Sequence, residues 1–389
     1  MKYYLIAGEA SGDLHGSNLL KGLVQQDPEG ECRCWGGDLM QQAGATLVKH
    51  YKDTAIMGFW EVLKKIFKIF GNFRRCKEDI LEWEPDVLIL IDYPGFNLRM
   101  ARFAKKHGIP VFYYIAPKVW AWKEKRVFKI KKFVDRLFII FPFEIEYFRK
   151  WGLNPIYNGN PLLDSIMNNE KLRISKEDFC KAHNLDPHRR KVALLAGSRR
   201  AEVLTTLGRE LAVAAKHPEL DFLIAGVKHL DISLYHRMID SFGGALENVH
   251  LLIDETYPIL KHSNAAIINS GTASLEAALI GVPQIVCYAG SEISYQIAKR
   301  LVKLNYISLA NLILDKGIFR ELIQHDATPQ NLDAELSKLL DNKEYVQTMQ
   351  DDYARVRQML GGSGTSAKVA DAMIKELRLI KGLQSCTQE

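Results

Sequence analysis

Short apolar runs alternate with longer amphipathic segments along most of the 389-residue chain. Apolar runs of this length, bounded by turn residues, are typical of strands that a parallel sheet buries on both faces. In the first half they predict strands at residues 3–7, 33–35, 87–91, 111–115 and 137–141. The rhythm restarts at Lys191 and predicts further strands at residues 191–197, 222–225, 249–253, 265–268 and 284–287. Because helical segments separate these strands, the pattern predicts an α/β protein built from βαβ units.

Two interruptions divide this pattern. A passage rich in Pro and Asn at 154–161, followed by a polar segment at 168–190, is the best candidate for a domain linker. A glycine-rich stretch at 361–364 precedes a last helix, predicted from Ser366 to about Leu383. The chain is also too long for one ordinary core. We therefore expect two Rossmann-like domains facing a central cleft, at residues 1–167 and 168–362, with residues 363–389 packing back on the first.

Composition and charge narrow the class of protein. Six scattered cysteines without a CxxC pair argue against a disulfide framework or a zinc site, and for a reducing, cytoplasmic setting. The first apolar run is too short for a signal peptide, and no run reaches membrane-spanning length. Residues 1–165 carry 25 Lys and Arg against 19 Asp and Glu, whereas the remaining residues carry 27 of each. This surplus predicts an anionic partner for the first domain.

The strand predicted at 87–91 is the most informative, because it ends at a carboxylate. Asp92 follows five aliphatic residues, and a Tyr-Pro-Gly sequence then forces a turn. In open α/β sheets the carboxyl ends of the strands line the ligand crevice, so an acid at this point is placed to do chemistry. Capping of the following helix near Asn97 is the alternative use of Asp92, and the residues alone favour neither.

Two turns at the ends of other predicted strands contain glycine. The first, GEASGDLHG at 8–16, opens a helix after the first strand, where backbone N–H groups favour an anion. Its spacing is not GxGxxG, so it predicts no dinucleotide site, and a purely structural turn is the alternative.

In the second domain, Gly197, Ser198 and Arg199 form the equivalent turn. Backbone N–H groups with a guanidinium favour a pyrophosphate there, whereas the alternative is Ser198 as an N-cap beside a solvated arginine.

A third turn lies at 269–278 and is rich in small residues, among them Ser270, Gly271 and Thr272. Its helix carries Glu276 in the second turn, where a carboxylate is able to accept hydrogen bonds from both ribose hydroxyls. The alternative is a capped helix in which Glu276 interacts only with the helix dipole.

A basic and aromatic segment at 57–75 predicts an amphipathic helix with an unusually broad apolar surface. The candidate membrane-docking residues are Phe59, Trp60, Lys64, Phe67 and Lys68. Such a helix is typical of a protein lying on an anionic membrane, although an ordinary core helix is the alternative. A second basic-aromatic run at 118–132 leaves nucleic acid as a rival partner. No helix-turn-helix, zinc-finger or RNP-type motif supports that rival.

The chain also lacks several motifs of other enzymes. It contains no Asp-x-Asp, which chelates the metal in many sugar-nucleotide transferases. It contains no P-loop, no G-x-S-x-G and no HExxH. These absences argue against a metal-dependent transferase, a P-loop nucleotidase and a serine hydrolase.

Eight segments, in their order along the chain, resemble the lipid-A-disaccharide synthase family. They are AGEASGDLHG (7–16), IMGFWEVL (56–63), PDVLILIDYPGFN (85–97), VWAWKEKRVFKI (119–130), FPFE (141–144), GSRRAEV (197–203), SGTASLE (270–276) and AKRLVKLNYISLANLI (298–313). They spread over most of the chain, and several are long and typical of that family.

The resemblance implies a GT-B glycosyltransferase with two Rossmann-like domains. It implies transfer of a 2,3-diacylglucosamine unit from its UDP-linked donor to 2,3-diacylglucosamine 1-phosphate (lipid X), which releases UDP. The implied product is the β-1,6-linked tetraacyl disaccharide 1-phosphate of lipid A. The resemblance also implies a peripheral enzyme on the cytoplasmic face of the inner membrane of Gram-negative bacteria, with no cofactor or divalent metal and no nucleic acid partner.

The resemblance assigns roles to individual residues. Asp92, Arg199 and Asn311 match residues essential in the family, with Asp92 as the expected base. The implied substrate contacts are Glu9, Ser11, Gly12, Gly197, Ser198, Ser270, Gly271, Thr272 and Glu276. Two departures affect the expectations: Gly95 replaces a second aspartate of many relatives, and Ala310 replaces the usual proline before Asn311.

Two rival functions follow from the same features. Another GT-B enzyme acting on UDP-sugars, of the peptidoglycan glucosaminyltransferase or epimerase type, shares the expected fold. A non-catalytic basic protein that binds membranes or RNA accounts for the charge alone. The second rival predicts no UDP binding and no effect of an Asp92→Asn substitution.

Overall fold

The structure is a computed structural model, which describes residues 1–53, 62–121, 123–242, 246–290 and 305–382, with the backbone alone at 62–69. The chain divides into two compact units. Unit 1 comprises Met1–Asp164 with Leu360–Glu389, and unit 2 comprises Ser165–Met359. Each unit is built around one parallel sheet.

The described part of unit 1 contains a seven-stranded sheet in the order β3-β2-β1-β4-β5-β6-β7. The strands are β1 (Lys2–Ala7), β2 (Glu31–Gly36), β3 (Thr46–His50), β4 (Val87–Ile91), β5 (Val111–Tyr114), β6 (Arg136–Ile139) and β7 (Ile156–Tyr157). Five of them confirm the strands predicted from apolar runs. The edge strands β3 and β7 were not predicted, because their residues are only partly buried and form no apolar run.

Helices cover both faces of the unit 1 sheet. They are α1 (Ala10–Gln26), α2 (Asp38–Gln42), α3 (Val62–Trp83), α4 (Pro94–Lys106), α5 (Val127–Phe133), α6 (Phe143–Lys150) and α7 (Pro161–Met167). Every residue of β4 is buried, as its aliphatic sequence predicts for a central strand. Separate hydrophobic clusters lie on the two faces of the sheet.

The described part of unit 2 contains a six-stranded parallel sheet in the order β10-β9-β8-β11-β12-β13. Its strands are β8 (Lys191–Leu195), β9 (Asp221–Gly226), β10 (Val249–Ile253), β11 (Ala265–Ile268), β12 (Gln284–Tyr288) and β13 (Glu321–Ile323). Its helices are α8 (Lys176–Ala182), α9 (Arg200–Ala214), α10 (Ile232–Asp240), α11 (Thr256–His262), α12 (Thr272–Ile280), α13 (Leu309–Leu314), α14 (Pro329–Asp341) and α15 (Lys343–Leu360).

The polar segment 168–190 is part of unit 2, so its prediction as a linker is wrong. It contains α8, whose Phe179 and Cys180 are buried in the core. The other positions of this short helix are mostly exposed and charged, which gives the segment the composition of a linker.

The last helix, α16 (Thr365–Ile380), packs on α1 within unit 1. Val369, Met373 and Leu377 are buried in the same hydrophobic cluster as the leucines of α1. Gly22 permits this approach, since an added Cβ would lie 2.9 Å from the Cβ of Ala370. Residues at the end of the chain therefore complete one face of the first sheet.

Further features of the described ranges concern membrane spans, metal sites and free cysteines. None of their helices is long and apolar enough to cross a membrane, and none of their His, Cys, Asp and Glu side chains form a group of three that could hold a metal ion. The described free cysteines are all buried: Cys32, Cys34, Cys76, Cys180 and Cys287.

Strand order reverses between β1 and β4 in unit 1 and between β8 and β11 in unit 2. Doubly wound sheets bind ligands outside the carboxyl ends of the strands at such switch points. The turns that follow these four strands are the turns singled out in the sequence.

Candidate functional site

Two turns of unit 1 lie side by side at its switch point. Ala7 and Ile91, the last residues of β1 and β4, are paired in the sheet, so the chain leaves the sheet at neighbouring positions. The Tyr93 ring packs directly on Gly8, where an added Cβ would lie 2.3 Å from the ring. Only glycine fits there, and the two turns form one surface.

The first turn presents exposed polar groups. Glu9 is the N-cap residue of α1, and its exposed side chain makes no capping hydrogen bond. Ser11 is exposed in the first turn of α1, whereas Gly12 is buried against Ala7. Asp13 is buried and accepts hydrogen bonds from three main-chain N–H groups at the start of α2. Asp13 thus fixes α2 to α1, while Glu9 and Ser11 face solvent.

The second turn is strained and held by buried polar side chains. Asp92 and Tyr93 both adopt the left-handed region, with φ of +42° and +46°, which non-glycine residues rarely occupy. The amide of Asn97 donates to the main-chain oxygen of Asp92 at 2.8 Å, and the hydroxyl of Tyr113 donates to the same oxygen at 2.6 Å. Asn97 also donates to one carbonyl oxygen in each of β1 and β4. These contacts stabilise a conformation that projects the Asp92 side chain out of the sheet.

The Asp92 carboxylate is exposed and lies among charged groups. Its pKa is raised, first because surrounding protein removes water from it and second because of the Glu9 carboxylate; the positive charges of Lys118 and Arg126 act in the opposite direction. The N-cap of α4 is Tyr93, without a side-chain cap, so Asp92 does not cap that helix. The carboxylate is therefore available to a ligand.

Glu144, in the FPFE segment, is a buried carboxylate of unit 1 to which the sequence assigned no role. Its Oε1 accepts from the indole of Trp120 at 3.0 Å, and its Oε2 accepts from the N–H groups of Ile140 and Phe141. Burial raises its pKa to about 7. Glu144 thus ties the segment after β5, which carries Lys118, to the end of β6.

In unit 2, the turn after β8 is shaped around an anion. Gly197 has a φ of +109°, and an added Cβ there would lie 2.6 Å from the side-chain nitrogen of Asn269. The main-chain N–H groups of Ser198 and Arg199 donate to Oε2 of Glu202 at 3.0 and 3.1 Å. The Arg199 guanidinium donates to Oε1 of Glu202 at 2.8 Å. These donors therefore converge on one anionic group, the carboxylate of Glu202.

The same contacts correct the predicted alternative for this turn. The N-cap of α9 is Arg199 rather than Ser198, and Glu202 three residues later accepts from the main-chain N–H of this N-cap residue. The Arg199 side chain is 80% exposed. Its guanidinium is thus able to reach a ligand above the turn.

The turn after β11 begins α12. Its N-cap is Gly271 with a φ of +154°, Ser270 precedes it, and Thr272 is the first helical residue. Glu276 is partly buried, and its Oε1 accepts from the hydroxyl of Tyr257 at 3.0 Å. Burial raises the pKa of Glu276. The Tyr257 contact orients this carboxylate near the end of the sheet.

Asn311 is fully buried, and its amide is used within unit 2. It donates to the main-chain oxygen of Phe319 and to Glu321, and it accepts from the N–H of Ile318. The same Glu321 accepts from the main-chain N–H groups of Ile307 and Ser308. Asn311 is thus placed to hold the segment before α13 rather than to contact a substrate directly.

Of the candidate membrane-docking residues, the structure describes only the backbone of Lys64, Phe67 and Lys68. Phe59 and Trp60 lie outside the described residues, and so do the side chains of Lys64, Phe67 and Lys68. Further along the amphipathic helix predicted at 57–75, Phe70 is 64% exposed and Phe73 is buried. Phe73 stacks on Phe96 with ring centroids 4.4 Å apart. The end of this predicted helix thus belongs to the core, whereas Phe70 does not.

The sequence is similar to that of proteins of a known family over nearly its whole length. Lipid-A-disaccharide synthase of Trichlorobacter lovleyi is 36% identical over 378 residues, covering 95% of this chain and 96% of the relative. The enzyme of the same name from Geobacter metallireducens is 36% identical over 378 residues, covering 96% of each. Solved structures are more distant.

UDP-GlcNAc 2-epimerase from Neisseria meningitidis, bound to UDP-GlcNAc, aligns with a TM-score of 0.64 at 16% identity, covering 96% of this chain and all of that one. MurG from Acinetobacter baumannii aligns with a TM-score of 0.59 at 13% identity, covering 96% and 99%. These likenesses establish the fold, that of GT-B enzymes with two Rossmann-like units. The family model for lipid-A-disaccharide synthetase matches residues 3–374. The chain belongs to the lipid-A-disaccharide synthetase family.

Proposed function

We propose that this protein transfers 2,3-diacylglucosamine from its UDP-linked donor to 2,3-diacylglucosamine 1-phosphate, with Asp92 as the general base. Family membership makes the chain a glycosyltransferase that forms the lipid A disaccharide. The proposal adds the identity of the two substrates and the roles of individual residues. The observation that carries it is the exposed Asp92 carboxylate on a strained turn at the switch point of unit 1.

In the proposed reaction the 6-hydroxyl of the acceptor attacks the anomeric carbon of the donor and inverts it. The hydroxyl is weakly acidic, so a base must take its proton while the new C–O bond forms. The bond between the anomeric carbon and the diphosphate breaks at the same time, and UDP leaves with the electron pair. Asp92 receives the proton, and its raised pKa makes it a stronger base than an ordinary aspartate.

In this proposal, residues of unit 2 stabilise the negative charge that develops on the departing UDP. The Arg199 guanidinium and the N–H groups of Ser198 and Arg199 bind the diphosphate, as they bind the Glu202 carboxylate in the structure. Ser270, Gly271 and Thr272 line the second turn of the donor site. Glu276 accepts from the ribose hydroxyls. Asn311 acts as a positioning residue through the segment before α13.

The proposal includes peripheral association with the inner face of the bacterial inner membrane. Both substrates carry acyl chains, so the enzyme must meet them at a lipid surface. The basic-aromatic segment around Phe59, Trp60 and Phe67 has the composition of an interfacial helix. In the test, all three residues are changed to serine and sedimentation with anionic vesicles is compared with that of wild type. Equal sedimentation would exclude this part of the proposal.

Turnover of UDP-diacylglucosamine with lipid X by wild type, Asp92→Asn and Arg199→Ala tests the proposal. Loss of a general base predicts a fall in kcat of roughly 10²- to 10⁴-fold in Asp92→Asn, with UDP affinity retained. Arg199→Ala is expected to weaken donor and UDP binding. Asp371→Asn, at a half-exposed position of α16, is the matched control. Undiminished kcat in Asp92→Asn would exclude Asp92 as the base.

A further inference from the structure

A groove on unit 1, which begins beside the Asp92 turn, is lined by basic side chains of three neighbouring segments. Its cationic residues are Lys77, Arg99, Arg102, Lys106, Arg126 and Lys129. The groove encloses about 1500 Å³, part of it open to solvent, and none of its described lining residues is a carboxylate. Six like charges around one space repel each other, so this arrangement favours an anionic occupant.

Aromatic rings, rather than carboxylates, hold two of these cations. The Arg99 guanidinium lies 5.1 Å from the centroid of the Phe73 ring, and the Lys77 ammonium lies 5.4 Å from that of Phe103. A ring face positions a cation without using its N–H groups as hydrogen-bond donors. By contrast, Lys105, which does not line the groove, forms an ion pair with Asp135. Ring faces thus hold Lys77 and Arg99 in place and leave their N–H groups suited to hydrogen bonds with a ligand.

The groove begins at the Asp92 turn. Pro94 and Gly95, the first residues of α4, line it and follow the strained turn directly in the chain. A Cβ added at Gly95 would meet no atom within 4 Å, so the position opens onto free space. Gly95 itself adds no charge to this end of the groove. Arg126, which lines the groove, also lowers the pKa of Asp92 through its positive charge, so the groove lies within electrostatic reach of that carboxylate.

We infer that this groove binds the phosphate group of the acceptor, a phosphorylated acyl-sugar, while the sugar hydroxyl faces Asp92. The inference rests on the proposed function, which supplies a phosphate-bearing acceptor and a base. Guanidinium groups bind phosphate oxygens through paired, charge-assisted hydrogen bonds, and Arg99 and Arg102 provide two such groups. Leu98, Phe103 and Phe133 supply apolar surface between the cations for the remainder of an amphiphilic ligand.

Charge reversal at two exposed groove positions tests this inference. The variant is Arg102→Glu with Lys129→Glu, and the matched control is Lys21→Glu with Lys150→Glu, at exposed positions of unit 1 outside the groove. Each enzyme is assayed in neutral detergent with the phosphorylated acceptor and with the same acyl-sugar lacking the phosphate. Loss of charge-assisted hydrogen bonds predicts a rise in KM for the phosphorylated acceptor of about tenfold or more in the groove variant. KM for the unphosphorylated acceptor, UDP affinity and the control variant are expected to match wild type.

The remaining outcomes separate the explanations. Equal changes in KM for both acceptors would overturn the inference, because the groove would then not read the phosphate. An unchanged KM ratio with weaker sedimentation on vesicles of phosphatidylglycerol would also overturn it, since the groove would then serve a phospholipid surface. Wild-type enzyme that turns over neither acceptor would contradict the proposed function itself. If the wild type is active and the groove variant keeps the same ratio of the two KM values, only the inference about the groove is refuted.

Discussion

The phenol of Tyr113 donates a 2.6 Å hydrogen bond to the main-chain oxygen of Asp92, so a buried residue of β5 supports the turn that ends β4. The support acts on the backbone and leaves the Asp92 carboxylate untouched. The next residue, Tyr114, is equally buried, and its hydroxyl has no hydrogen-bond partner among the described residues. The two tyrosines therefore form a matched pair, one that holds the turn and one that only fills the core.

Tyr113→Phe is expected to lower kcat about tenfold with little change in KM, because a less well held turn misplaces the base without altering substrate contacts. The cost in stability is about 1 kcal/mol, the net contribution of one neutral hydrogen bond. Steady-state kinetics and thermal unfolding measure both. Tyr114→Phe is expected to leave kcat unchanged. Equal kcat for the two variants would show that the Tyr113 contact is purely structural.

The charges around Asp92 predict two opposite shifts of the pH–rate profile. Asp92 is a base only when ionised, so activity falls as the pH drops through its pKa. The Glu9 carboxylate raises that pKa and Lys118 lowers it. Glu9→Gln is therefore expected to move the acidic limb of kcat/KM to lower pH, and Lys118→Met to move it to higher pH. Shifts in the same direction, or none, would show that another group controls the acidic limb.

Most of the fold follows from the apolar runs, because central strands of a parallel sheet are buried on both faces. The strands that the sequence leaves out, β3, β7 and β13, lie at sheet edges, where partial burial removes the continuous apolar signal. The linker prediction at 168–190 failed for a related reason. The core contact of that segment depends on two residues, Phe179 and Cys180, in an otherwise polar helix.

The site was predictable only where its signal is local. Asp92 is visible because a carboxylate directly ends a buried strand, and Arg199 because it follows a strand and a glycine. The support for Asp92 comes from Tyr113, which lies 21 residues away, and from an Asn97 amide that also reaches β1, 91 residues away. No spacing rule reveals such contacts. Glu202 had a local signal, since a glutamate three residues after an N-cap is typical of a capping box.

Glu202 is expected to oppose UDP binding. Its carboxylate occupies the N–H groups and the guanidinium that the proposal assigns to the diphosphate, so an anionic ligand must displace it or lie beside its charge. Glu202→Gln keeps an acceptor for the N–H groups and removes the charge. We expect the Kd for UDP to fall several-fold, whereas Arg199→Ala raises it, as measured by calorimetry. Removing one nearby like charge contributes roughly 1 kcal/mol in a partly exposed site.

Glu177→Gln is the control for this prediction, because it removes the same charge from an exposed position of α8. Its Kd for UDP is expected to equal that of wild type. Weaker UDP binding by Glu202→Gln would mean that the carboxylate maintains the shape of the turn, and that this contribution exceeds the repulsion. An unchanged Kd in Glu202→Gln would instead mean that the diphosphate lies elsewhere in unit 2.

The attachment of α16 to unit 1 depends on a remote cap. Asp164 lies 200 residues before Gly364 in the chain and is buried. It accepts from the main-chain N–H groups at the start of α16: those of the N-cap Gly364 and of Ser366 at 2.7 and 2.8 Å, and that of Thr365 at 3.3 Å. These are N–H groups that a helix cannot satisfy internally. Asp164→Ala leaves them unpaired and is expected to cost about 1–3 kcal/mol, seen as faster hydrogen exchange throughout α16. Asp371→Ala removes an exposed ion pair with Lys375 on the same helix and is expected to cost no more than about 0.5 kcal/mol. Similar exchange rates in the two variants would mean that apolar contacts with α1 alone hold the helix in place.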